Sequence, residues 1–94
     1  MATLVVSPSA QQDLTDIFDY IARDKPVAAA MWIEKVEQKC RRIAATPDVG
    51  EARPEYGSDI RSSIIGRYVI FHRTIVGGIE VVRVIAGDRD IRSI

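Results

Sequence analysis

The chain has 94 residues, 47 % of them hydrophobic and 28 % charged, and its 13 basic side chains balance 13 acidic ones. Such a composition describes one globular domain with a modest core, and a formal charge of zero speaks against strong direct nucleic-acid binding, whose affinity comes largely from cations neutralising phosphates. No apolar run approaches the roughly 18 residues of a membrane span, Met1–Pro8 lacks the basic start and long apolar stretch of an export signal, and Cys40, alone, leaves no disulfide, CxxC pair or thiolate zinc site. A cytoplasmic protein without membrane contact is expected.

Thr3 to Ser7 alternates weakly and predicts a short first strand. Ser7-Pro8 then sets a serine cap before a helix whose first residue is proline. This helix is expected to run to about Arg23, with Ala10, Leu14, Ile17, Phe18 and Ile21 on a buried stripe and Asp13, Asp16 and Asp19 on another face. Asp24 or Lys25 breaks the pattern before Pro26, and a second helix repeats it with Ala29, Trp32, Ile33, Val36, Cys40 and Ile43. So short a break predicts an antiparallel helical hairpin. Cys40 falls among apolar residues and reads as a core side chain rather than a nucleophile. Glu37 and Arg41, four apart, form an ordinary surface pair. Pro47, Gly50, Pro54 and Gly57 mark Thr46 to Ser58 as a loop crossing from helices to sheet.

Three β-branched segments follow, Ile60 to Ile65, Tyr68 to Thr74 and Ile79 to Ile85, joined at Gly66 and at Gly77-Gly78. They predict an antiparallel meander. The expected fold is therefore a single α+β domain over residues 1–94, in the order β-α-α-β-β-β, with a helical hairpin packed on one face of a small antiparallel sheet. That arrangement leaves the far face open. Yet Ile79, Val81, Val82, Val84 and Ile85 put apolar side chains on both faces of the last strand, whichever way the alternation falls. Either a partner or the tail Asp88 to Ile94 is expected to cover the second face.

Charge divides unevenly along the chain. From Arg61 onward six arginines face Glu80, Asp88 and Asp90, giving +3, whereas seven basic and ten acidic residues give the first sixty −3. This asymmetry points to an anionic partner on the sheet side.

The segments SPSAQQDLTDIFDYIA, IAATPDVGEARPE, IR, GRYVIFHR and IEVVRVIAGDRD, in this order and spacing, resemble a ParE/RelE-superfamily toxin of a type II toxin–antitoxin module, and the ParE branch more than the RelE branch. The resemblance covers nearly the whole chain. It implies a toxin neutralised by a cognate antitoxin, a ribbon-helix-helix or similar DNA-binding protein, whose C-terminal segment wraps the toxin as helix and strand. ParE-type members are similar in poisoning DNA gyrase and blocking replication. RelE-type members cleave messenger RNA in the ribosomal A site.

A ribonuclease must deprotonate a 2′-hydroxyl, stabilise a phosphorane and protonate a 5′-oxygen. The RelE-type site combines strand basic residues with a tyrosine in the C-terminal segment. Here Arg61 and Arg89 occupy comparable basic positions, but no tyrosine follows Tyr68. His72 has the right chemistry for acid–base work, yet stands where relatives often carry an aromatic residue, so a packed strand histidine is expected. One histidine builds no serine–histidine–acid triad, Gly77-Gly78 lacks the helix that completes a phosphate cradle, and no cofactor or metal is expected. The reading is a toxin that binds its target rather than catalysing a reaction. Arg61, Arg83, Arg89 and Arg92 are the candidate contacts to target or antitoxin, as guanidinium groups suited to carboxylates and phosphates. A ribosome-dependent ribonuclease is the alternative, and a non-toxic antitoxin-binding relative is a third reading.

Overall fold

The computed structural model describes residues 2–87. Arg89, Arg92 and the expectation that the tail covers the sheet lie outside the described residues.

The first strand, β1 (Thr3–Val6), ends at Ser7. The Ser7 hydroxyl accepts the Ala10 N–H at 3.1 Å and donates to the Val82 carbonyl at 2.8 Å. One side chain thus caps α1 (Pro8–Ala22) and ties its start to a strand distant in sequence. Pro8 suits the first helical position, where no N–H is needed. Backward bonds from Arg23 to Asp19 and from Lys25 to Ile21 close α1, and Pro26 opens α2 (Pro26–Ala45). The helices pack together as the predicted hairpin.

After the loop come β2 (Glu51–Ala52), β3 (Ile60–Ile65), β4 (Tyr68–Ile75) and β5 (Gly78–Ala86). The sheet has five strands in the order β1-β5-β4-β3-β2. Its centre is the antiparallel meander that the glycines announced. Two features correct the expectation of a purely antiparallel sheet entered from a plain loop. First, β1 runs parallel to β5, from Thr3 opposite Gly78 to Val6 opposite Val81. Alternation in four residues reveals a strand but not its partner, and a parallel neighbour requires a long crossover, which the hairpin and meander supply. Gly78 permits the approach, because a Cβ there would collide with the Thr3 carbonyl oxygen. Second, the crossing loop contains β2, paired with β3 at Glu51–Ser62 and Ala52–Arg61. Two residues are too few to leave a periodic signal.

On the helix-covered face, Ala10, Val36, Cys40, Ile43, Ile70, Ile79, Val81 and Val84 form one aliphatic core, edged by Leu14, Ile17, Trp32 and Tyr68. A smaller cluster on the far face joins Ile60, Phe71 and Ile85 to Tyr56, Val69 and Val82. Both draw on β5 by its alternation, whose phase a bulge shifts. His72 pairs with Val81 and Phe71 with Arg83, leaving Val82 as an extra residue that resets the alternation. The far cluster is partly roofed by the segment after β2. There the Tyr56 ring stands edge-on to Phe71 at 5.4 Å and 84°, and the Arg53 guanidinium lies 5.6 Å and 5.9 Å from the two ring centres.

Candidate partner-binding surface

Arg61 lies on β3, opposite His72 on β4. Its Nη1 donates to the Gly50 carbonyl at 3.1 Å, fastening the chain where it enters β2. Gly50 has a φ of +95°, and a Cβ there would stand 2.6 Å from the Ser62 carbonyl oxygen, so the close approach requires glycine. Arg83 behaves differently. Its Nε and Nη2 donate to the Asp13 carboxylate at 2.7 Å and 2.9 Å, and Asp13 Oδ2 also accepts the Val84 N–H at 3.0 Å. This is the two-pronged guanidinium–carboxylate fit, and the bonds to Asp13 push the guanidinium pKa up. Asp13 therefore closes the seam between α1 and β5 instead of belonging to a solvated acidic stripe with Asp16 and Asp19. Partners 70 residues apart leave no local sign of each other. Arg61 and Arg83 stand on strands separated by β4, so the structure does not bring these two candidates together.

His72 is fully buried. Its Nε2 lies 2.9 Å from the Ser63 hydroxyl, and Nδ1 has no hydrogen-bond partner among the described residues. Burial, followed by the charges of Arg61 and Lys39, lowers its pKa to about 4. A ring without solvent contact, neutral near pH 7, is badly placed to exchange protons with a molecule held outside. Cys40 is likewise a core side chain at 4 % exposure, and burial with the nearby Glu37 charge pushes its thiol up to about 11. The packed-histidine and packed-cysteine expectations agree with these environments.

Two adjoining concavities mark the surface around Tyr20, Arg67 and Tyr68. One, of about 420 Å³, follows the α1–β5 seam past Asp13, Asp16, Ile17, Val84 and Ala86. The other, of about 540 Å³, opens between the helical hairpin and the β3–β4 turn, with Ile21, Met31, Trp32, Lys35 and Ile65 in its walls. Trp32 and Tyr68 meet edge-on at 5.2 Å in its floor. Sequence reasoning assigned no role to Met31, Lys35 or Arg67, and used Trp32 only as a core side chain. The one available signal was Gly66-Arg67, which puts a cation at a turn between strands. Among the described residues there is no group of three or more His, Cys, Asp or Glu that could hold a metal, and no helix long and apolar enough to cross a membrane.

A family model described as the ParE toxin of the type II toxin–antitoxin system parDE matches residues 4–91. No curated protein sequence matches the chain. Among solved structures, a chain of the chromosomal ParDE TA system from P. aeruginosa superposes with a TM-score of 0.74 at 19 % identity, over 92 % of this chain and 96 % of that one. At such identity the likeness bears on the fold alone. The family match, in contrast, runs from β1 past the end of β5, and this chain therefore belongs to the ParE toxin family of type II toxin–antitoxin systems.

Proposed function

We propose that this chain is the toxin of a cytoplasmic type II module, that it acts by binding DNA gyrase and so blocks replication, and that a cognate antitoxin of ribbon-helix-helix or similar DNA-binding type neutralises it. Membership of the ParE family supports the module. The observation that favours binding over catalysis is His72, a fully enclosed imidazole held neutral near pH 7. Without it, the described residues offer a nucleic-acid substrate guanidinium groups but no histidine within reach of a molecule held outside. Arg61, Arg89 and Arg92 are the proposed contacts to target or antitoxin. Arg83 contributes by holding Asp13 and, through it, α1.

Supercoiling by purified gyrase, followed as the chain is added, tests this reading beside primer extension on programmed ribosomes. Loss of supercoiling with intact messenger RNA is expected. Codon-phased cuts in the A site, abolished by Arg61→Ala, would replace the reading with a RelE-type ribonuclease. Normal growth when the chain is expressed without its partner would leave an inert antitoxin-binding module.

A further inference from the structure

His72 lies beneath a single layer of chain. Gly50 is itself exposed, yet a Cβ on it would stand 3.0 Å from Ser63 Oγ and 3.2 Å from His72 Nε2, so the chain entering β2 passes directly over the Ser63–His72 pair. The fastenings of this stretch, residues 49–53, are few. Arg61 Nη1 donates to the Gly50 carbonyl at 3.1 Å, the Arg53 N–H donates to the Ile60 carbonyl at 2.9 Å, and β2 pairs with β3 over two residues. The charges facing the ring are cations, Arg61 on β3 and Lys39 on α2. Ser63 offers a hydroxyl, β5 sets Val81 opposite His72, and Glu51, the carboxylate of residues 49–53, is 76 % exposed and turned to Arg53 at 3.8 Å. A second proton on the ring would therefore bring a positive charge into an enclosure with two cations nearby and no carboxylate to balance it.

We infer that residues 49–53 form an acid-sensitive strap, which lifts from β3 when His72 takes up a proton and lets water reach the ring while α2 and the β4–β5 pairing stay folded. The strap is the wall that gives most easily, because the others belong to the helix-covered core and the centre of the sheet. The closed chain binds the second ring proton only near pH 4, whereas an imidazole in water binds it near 6.5. The open state thus holds more protons between these values and gains population as pH falls through them, by about twentyfold from pH 7 to pH 5. Lifting also releases Arg61 from the Gly50 carbonyl, so acid frees a guanidinium among the proposed contacts to target or antitoxin.

Amide hydrogen exchange of the full chain, followed by NMR at pH 7 and pH 5 and corrected for the intrinsic rate at each pH, tests the strap. The Arg53 amide is expected to be less protected than that of Val36 in α2 and to lose about twentyfold of its protection between the two pH values. In His72→Gln that loss should vanish. Gly50→Ala places a Cβ 2.6 Å from the Ser62 carbonyl oxygen at a φ of +95°, so the strap seats poorly and the His72 ring should titrate closer to 6.5 by its NMR shifts. Protection at Arg53 that equals that of Val36, or that does not change with pH, would overturn the strap. So would a well-folded Gly50→Ala whose Arg53 amide exchanges freely while His72 still titrates near 4, and this variant decides the matter if His72→Gln does not fold.

Discussion

The two faces of this sheet solve the same problem with different materials. Under the helices the core is aliphatic and closed, with Ile43, Ile70, Ile79, Val81 and Val84 each at 2 % exposure or less. On the far face three buried residues are finished by an aromatic edge contact and a guanidinium, and the neighbouring strand positions are ionic, with Arg73 held by Glu80 at 2.7 Å and Asp59 at 3.6 Å. The same strand, β5, feeds both clusters. From this difference the helix-covered face is expected to carry the bulk of the fold's stability.

Substitutions can break or sharpen that contrast. The largest effect is expected from Ile79→Ala, which opens a void in the closed core and should lower unfolding stability by about 3 to 4 kcal/mol in urea titrations. A loss below about 1 kcal/mol would mean that the helix-covered face does not dominate.

Acidification should act on the same face. His72 binds its proton in the unfolded chain near pH 6.5 but in the folded one only near 4, so the unfolded state holds more protons between these values and stability falls as pH drops through that window. The expected total is about 3 kcal/mol, flat again below the folded value. Melting curves from pH 7 to 4 should show a shallower decline for His72→Gln than for the wild type. Equal slopes would locate the titration elsewhere.

At the seam between the faces, Asp13→Ala leaves the Val84 N–H and Arg83 without their acceptor and should cost about 2 kcal/mol. Asp13→Asn keeps an acceptor oxygen for Val84 and should cost less. Tyr56→Ala, on the far face, is expected to cost about 1 to 2 kcal/mol through the ring contacts with Phe71 and Arg53. A loss as large as that of Ile79→Ala would erase the contrast. Smallest of all, Arg41→Ala removes a pair whose side chains are both 60 % exposed and should stay within about 0.5 kcal/mol.

What the sequence made legible was whatever is encoded locally. Ser7-Pro8 and Pro26 mark the helix starts, spacing marks their buried stripes, and Gly66 and Gly77 mark the turns. The apolar surplus of β5 foretold two clusters, although not the bulge at Val82 that shifts its alternation. Pairings between distant residues were invisible. Nothing in Thr3–Val6 names β5 as its neighbour, and nothing around Arg83 names Asp13, so a guanidinium that looked available for a partner is engaged within the fold. The grooves were hidden for the same reason. Tyr20, Met31 and Arg67 belong to three different elements, and only tertiary assembly gathers them.

Asp13 has one more consequence. β5 continues past the end of β1, so the outward groups of its last residues would offer another copy of the chain a template for growing the sheet. The Asp13 carboxylate already occupies the Val84 N–H, and the Ser7 hydroxyl already occupies the Val82 carbonyl. The cap of α1 and a residue of its second turn therefore occupy two main-chain groups of β5 that an added strand would otherwise use.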